Sequence, residues 1–140
     1  MKQEEKELLL KDLCSRLPYG VKISVLSWDE REMEYTDRVD VLYSVNGDEY
    51  IKSTNEDYDF SLEDIKPYLF PLSSMTDEQK QYLKNRFCYD WDGEPYDLWK
   101  CQIEIGDADE LIDWLHKNHF DYRNLINKNI AIDCTNLNIY

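Results

Sequence analysis

The chain has 140 residues and a mass of 16.9 kDa, and its 30 acidic residues against 16 Lys and Arg give a formal net charge of −14. One domain is expected at this length. The acid surplus argues against direct binding of nucleic acid or of an anionic membrane, because both need a basic surface. No apolar run is long enough to span a membrane. Acids stand where a signal peptide has its apolar centre, so we expect a cytoplasmic protein.

The first third of the chain predicts one helix and three strands. Leucines at helical spacing predict a helix over residues 3–17, which Pro18 ends. Alternating apolar and polar residues predict strands over 21–25, 32–45 and 49–53, which together form an antiparallel meander. Asn46 and Gly47 predict a type I′ turn between the last two strands, since both residues tolerate positive φ.

The rest of the chain predicts shorter elements. Ser61 can cap a brief helical turn, after which Pro67 and Pro71 prevent any long element. Thr76 and Gln79 form a capping box at the start of a helix. The further elements predicted are a helix over 77–87, a fourth strand over 101–105, a helix over 108–117 that Asp107 caps, a turn over 120–126 and a final strand over 129–134.

These elements predict a single α+β domain that spans residues 1–140. We expect an antiparallel sheet of four or five strands with about three helices packed on one face, because the apolar stripes of the helices need a partner surface. None of the four cysteines has a ligand-like spacing, so buried reduced thiols are expected. A disulfide between Cys88 and Cys101 remains an alternative, since the two residues flank one loop-like segment.

The negative charge is concentrated in two segments. Residues 45–64 hold seven acids and one base, and residues 89–115 hold nine acids and one base. Clustered carboxylates among Tyr and Trp side chains suit the binding of Arg and Lys through ion pairs and cation–π contacts. We therefore expect an acidic, non-enzymatic protein that binds a basic protein partner. The residues expected to contribute from the second segment are Asp90, Trp91, Asp92, Glu94, Asp97 and Trp99.

Two other interpretations of the acids stay open. The acids can serve only to keep the protein soluble. They can also imitate the phosphates of DNA, in which case the protein would inhibit a basic nucleic-acid-binding protein, as anti-restriction or anti-CRISPR inhibitors do. The sequence does not separate these interpretations, because the spacing of the carboxylates depends on the fold. The oligomeric state is likewise not predicted.

Metal and catalytic motifs find little support. The segment from Asp90 departs from a calcium loop, because glycine comes at the fourth position and Cys101 occupies the twelfth. One cluster combines imidazole with carboxylate, namely Asp113, His116, His119 and Asp121. Zinc accepts such ligands, but His116 and Lys117 at a helix C-terminus also complement the helix dipole, and we favour that interpretation. No metal, no cofactor and no catalytic residue is expected. A metal-dependent hydrolase that uses His116 and His119 is the distant alternative.

Three stretches of the chain carry a resemblance. They are DLCSRLPYGV at 12–21, IKPYL with PLSSMT at 65–76, and DWLHKNHFDYRNLINKNIAI at 113–132. They resemble small uncharacterised proteins of Bacteroidetes and of their phages or other mobile elements. The resemblance implies a bacterial or phage protein and brings no known activity.

The HFDYR motif within the last stretch permits two interpretations. In the structural one, Asp121 caps the following turn, Phe120 acts as a hydrophobic staple, and Arg123 pairs with Asp113 or another acid. In the functional one, His119, Asp121, Tyr122 and Arg123 form a recognition patch.

Overall fold

The computed structural model describes residues 1–47, 49–55, 58–100 and 102–140, and for Pro95, Tyr96 and Trp99 it describes the backbone alone. The proposed disulfide partner Cys101 lies outside the described residues. So do Asp48, Glu56 and Asp57 of the first acidic segment.

The protein has three helices and seven strands. The helices are α1 (Gln3–Arg16), α2 (Asp77–Arg86) and α3 (Ile105–Lys117). The strands are β1 (Lys22–Asp29), β2 (Glu34–Val45), β3 (Tyr50–Ser53), β4 (Phe60–Ser61), β5 (Lys66–Pro71), β6 (Phe120–Asp121) and β7 (Ile132–Asp133). Short 3₁₀ turns connect several of them. The helix predicted over 3–17, the capping box at Thr76 and the cap at Ser61 are confirmed.

The strands form one mixed sheet. Its order is β4-β3-β2-β1-β5-β6, and β7 pairs with β5 beside β6. Neighbours are antiparallel from β4 to β5, whereas β6 and β7 both run parallel to β5. The α+β class is confirmed. The expected sheet of four or five antiparallel strands was too small, and it lacked the two parallel pairings.

Strand β5 was not predicted from the sequence. Pro67 and Pro71 argued against a regular element, yet Pro67 lies opposite Ile23 in the ladder with β1. On the side of β5 that faces β6 and β7, the backbone hydrogen bonds are made by residues other than proline. The Phe70 N–H donates to the His119 carbonyl at 2.8 Å, and the Leu69 carbonyl accepts from Cys134 at 3.0 Å. A proline is compatible with a strand wherever its missing N–H is not part of the ladder.

Two local predictions were wrong. The β2–β3 hairpin forms, but its turn is wider than type I′, because the positive φ of 64° falls on Glu49 and the Asn46 carbonyl accepts the Glu49 N–H. Helix α3 begins at Ile105, so the strand predicted up to residue 105 is absent from the described residues. Glu104 takes the N-cap position that Asp107 was expected to hold.

Two hydrophobic cores divide the helices between them. Leu9 and Leu13 of α1 pack on the sheet with Ile23, Leu42 and Leu69. Helices α2 and α3 supply Leu83, Leu111 and Leu115 to a second core that also contains Met75, Cys88, Trp91, Leu98 and Phe120. The expectation of three helices on one sheet face is therefore wrong for α2 and α3. Cys14 is exposed on α1, against the expectation of a buried thiol.

Candidate functional site

Trp91 of the predicted acidic surface belongs to the core. Its side chain is only 3% exposed, and its indole N–H donates to the Glu94 carbonyl at 2.8 Å. The ring therefore stabilises the fold and is not presented to a partner. The ring of Trp99 lies outside the described side chains.

The acids of this segment differ in how far they are neutralised. Asp90, Asp92 and Glu94 are exposed and form no ion pair within the described residues, although Asp92 accepts the Glu94 N–H at 2.9 Å. Asp97 pairs with Lys100 at 2.8 Å. Three of the four acids on α3 are also paired: Asp107 and Glu110 with Arg86, and Asp113 with Lys117. Arg86 offers one positive charge to two carboxylates, so part of their charge remains. The acids of this region that form no ion pair within the described residues are Asp90, Asp92, Glu94, Glu104 and Asp109.

Arg123 joins a buried ion-pair network. Its guanidinium donates to one oxygen of Asp12 at 2.8 Å, and Arg16 donates to the other oxygen at 2.8 Å. Arg16 also donates to the Phe120 carbonyl at 2.6 Å. Asp12 and Arg16 are fully buried. The predicted partner of Arg123 is therefore an acid on α1, while Asp113 bonds the Tyr19 hydroxyl and Lys117.

The buried His116 contacts the half-buried Tyr122 beside this network. The imidazole Nε2 and the Tyr122 hydroxyl lie 2.6 Å apart. Burial, together with the nearby Arg16 and Arg123 cations, lowers the pKa of His116 to about 4. With this pKa the imidazole is neutral at pH 7, so Lys117 is the residue of the last turn that complements the helix dipole. No group of three metal-binding side chains occurs among the described residues, and His116 and His119 have separate partners.

The two remaining residues of the predicted patch also make structural contacts. Asp121 is buried, and its carboxylate accepts the N–H groups of Leu125 at 3.0 Å and Ile126 at 2.9 Å, which confirms the predicted cap. His119 has a φ of 59° and stacks on Tyr140 with ring centroids 3.6 Å apart. Burial lowers its pKa to about 4.

Two open pockets flank β6. One has a volume of about 430 Å³ and is lined by Pro71, Asp121 and Tyr122 among others. The other has about 440 Å³ and is lined by Phe70, His119 and Tyr140 among others. The HFDYR motif thus separates the two pockets and holds β6 against β5.

The most unusual surface lies on β1 and β2, where the sequence analysis placed no site. β5 pairs with β1 only at Ile23 and Ser24, and β3 pairs with β2 only from Leu42 onward. Residues 25–29 and 34–39 consequently form a two-stranded ribbon that extends beyond the rest of the sheet; we call it the β1–β2 ribbon. Asp29 orders its tip, since the carboxylate accepts the N–H groups of Arg31 and Glu32.

One face of the β1–β2 ribbon is apolar and exposed; we call it the outer face. Trp28 and Tyr35 lie opposite each other in the ladder, with rings edge to face at 5.1 Å. They are 46% and 63% exposed. The outer face is formed by Leu26, Trp28, Tyr35 and Val39 together with Asp37, which lies opposite Leu26. Tyr43 extends the apolar row along β2. A sheet face normally hides such side chains against a second layer, so this row stands out.

Acids lie at the tip of the ribbon over residues 29–34 and at Asp37 on the outer face; we call them the acidic rim. Residues 29–38 hold five acids and two bases, for a net of −3. The sequence carried a signal for this surface, because Val25-Leu26-Ser27-Trp28 places apolar residues on both faces of β1. The signal was missed because the first strand was predicted to end at residue 25, whereas β1 continues to Asp29.

Comparisons of the chain with family models, with curated proteins and with solved structures found no match. None of the described helices is long and apolar enough to cross a membrane. The resemblance carried by the HFDYR motif stays a prediction.

Proposed function

We propose that the protein is a non-enzymatic interaction protein that binds a basic protein partner through the outer face of the β1–β2 ribbon. The observation that carries this proposal is the row of exposed apolar side chains on that face. Contiguous exposed apolar surface is rare on proteins that act alone and is typical of docking surfaces. Trp and Tyr are also the side chains that most often dominate binding energy.

The charge around the row supports a basic partner. An apolar centre with a polar rim is the usual anatomy of a protein interface. Here the rim is acidic, and the whole chain carries −14, so Lys and Arg on the partner complement it. Such complementarity mainly raises the association rate and selects the partner. Asp90, Asp92 and Glu94 add to the same long-range field without needing direct contact.

Ordinary protein binding is better supported than imitation of DNA. A DNA mimic needs rows of unpaired carboxylates, whereas Arg86 and Lys117 form ion pairs with three of the four acids on α3. The apolar outer face would also have no counterpart in a phosphate backbone. Most acids of α3 therefore serve in ion pairs within the protein and do not form a phosphate-like row.

Affinity capture with two matched variants tests the proposal. The purified protein is immobilised and exposed to a lysate of the organism that encodes it, and the captured proteins are quantified by mass spectrometry. The test variant is Trp28→Ser/Tyr35→Ser. The control is Tyr89→Ser/Ile105→Ser, which removes two apolar side chains that are 84% and 92% exposed elsewhere.

We expect a basic protein that the wild type and the control capture equally and the test variant loses. Its binding should weaken as salt rises, because the rim is acidic. Equal loss in both variants, or capture unaffected by Trp28→Ser/Tyr35→Ser, would contradict the proposal.

A further inference from the structure

Among the described residues, no strand pairs with the edge of β2 beside residues 35–39; we call it the free edge. The Val41 carbonyl accepts the Thr54 N–H, so Val41 directs its backbone groups away from β1, toward the β3 side. Backbone direction alternates along a strand. Val39, Asp37 and Tyr35 therefore direct their N–H and C=O groups to this same edge. No described backbone group pairs with them, because the pairing with β3 begins at Leu42.

We propose that this edge accepts an extended segment of the partner as an added strand, centred on Asp37. The inference rests on the proposed function and specifies how the partner binds. An exposed edge with several unpaired N–H and C=O groups is a template for strand addition. The edge here adjoins the outer face, so an added strand would gain main-chain hydrogen bonds and cover part of the apolar row.

The side chains along the edge define the chemistry of the added segment. Tyr35, Asp37 and Val39 share one face of the sheet, since they alternate with Thr36 and Arg38. Residues directly opposite them on an added strand share that face as well. The complementary pattern is apolar–x–basic–x–apolar, with Lys or Arg opposite Asp37 and apolar side chains opposite Tyr35 and Val39.

A second copy of the chain fits this edge poorly. Antiparallel self-pairing that uses all three residues places Asp37 opposite the Asp37 of the other copy. Like charges directly opposite each other destabilise a strand pair. The net charge of −14 on each copy adds to the repulsion. The edge therefore selects a basic segment of a different protein.

The test uses a short capped peptide, Val-Thr-Lys-Thr-Val, and a copy that is N-methylated at its first, third and fifth residues, whose N–H groups would face the edge. Binding is measured by NMR titration of the ¹⁵N-labelled protein. We expect the unmodified peptide to shift the amide signals of Tyr35, Asp37 and Val39 and to slow their hydrogen exchange. The N-methylated copy loses its main-chain donors and should bind at least about tenfold more weakly. Equal binding of both peptides, or no shift at these amides, would overturn the inference.

Two variants of the protein give an independent arm. Asp37→Pro and Asp37→Thr both remove the carboxylate, but only Asp37→Pro removes the N–H at the free edge. The ladder with β1 is spared, because the Asp37 N–H points away from β1 and proline is tolerated on edge strands. We expect Asp37→Pro to bind the peptide roughly five- to tenfold more weakly than Asp37→Thr. Circular dichroism confirms that both variants are folded.

The outcomes separate this inference from the proposed function. If Asp37→Pro and Asp37→Thr bind equally while Trp28→Ser/Tyr35→Ser still abolishes capture of the partner, the outer face acts without strand addition. If the wild type captures no basic partner, the proposed function itself fails. Pairing between two copies would appear as a dimer by analytical ultracentrifugation and would overturn the assignment of the edge to a different protein.

Discussion

The Arg123 guanidinium donates to the Asp12 carboxylate, which lies 111 positions earlier in the chain, at 2.8 Å. This contact ties the HFDYR motif to α1. The same carboxylate holds Arg16, and Arg16 in turn holds the Phe120 carbonyl at the start of β6. The motif therefore contributes to folding. Its Arg and Asp side chains fix the parallel strand at the edge of β5.

Replacement of Asp12 by Asn should strongly destabilise the protein. The substitution leaves Arg16 buried without its counter-charge, and uncompensated buried charges cost about 3–5 kcal/mol. The control is Glu7→Gln on the exposed face of α1, for which a change within about 0.5 kcal/mol is expected. Urea denaturation of both variants measures the difference. A loss for Asp12→Asn no larger than that of Glu7→Gln would contradict the structural role of the network.

The two histidines should remain neutral well below pH 6.5. Their pKa values of about 4 mean that, between pH 6.5 and pH 4, the unfolded chain binds protons that the folded protein does not. Stability is consequently retained above pH 6.5 and declines as the pH falls toward 4. His116 alone accounts for about 3 kcal/mol of this decline. NMR titration of the imidazole Hε1 signals checks the assignment, and a midpoint near 6.5 for His116 would contradict it.

Trp91 and Tyr89 should respond in opposite ways to replacement by alanine. Trp91→Ala empties a position in the second core and should cost about 3–5 kcal/mol. Tyr89→Ala removes a side chain that is 84% exposed and should change stability by less than about 0.5 kcal/mol. Thermal unfolding of the two variants measures the contrast. Similar effects of both changes would place the Trp91 ring on the surface.

Tyr140→Phe should weaken the attachment of the C-terminal residues to the sheet. The Tyr140 hydroxyl accepts the Lys22 N–H and donates to the Tyr68 carbonyl, both at 2.9 Å. Loss of the hydroxyl leaves these groups unpaired and should cost about 1–3 kcal/mol, while the stacking on His119 is retained. Faster hydrogen exchange at Lys22 is the direct readout. Unchanged exchange at this amide would show that the hydroxyl is dispensable.

The sequence predicts local features better than pairings. Helical spacing and the capping box located α1 and α2 because those signals depend on neighbours within four residues. Strand β5 was not predicted because its prolines argued against a strand. The pairing with β1 shows that Pro67 fits there without an N–H group. The parallel pairings of β6 and β7 also depend on contacts across the fold, which no local pattern encodes.

The site was predicted least well. The acid clusters and the HFDYR motif were predicted to form binding surfaces. Trp91 is instead buried, and Asp121 and Arg123 form hydrogen bonds within the fold. The outer face was missed because Leu26 and Trp28 resemble core residues until the sheet leaves their side uncovered. Exposure of an apolar side chain is decided by the layers that pack on it. Which layers cover a given strand depends on the tertiary fold, and the local sequence does not predict it.

Photo-crosslinking from the outer face tests the central claim most directly. Benzoyl-phenylalanine is introduced in place of Leu26 in one protein and of Ile105 in another, and each is irradiated in the lysate of the encoding organism. Both positions are exposed and apolar, but only Leu26 lies on the β1–β2 ribbon. We predict a crosslink to a basic protein from position 26 and none from position 105. Equal crosslinks from both positions, or a partner captured from position 105 alone, would contradict the assignment of the outer face as the docking surface.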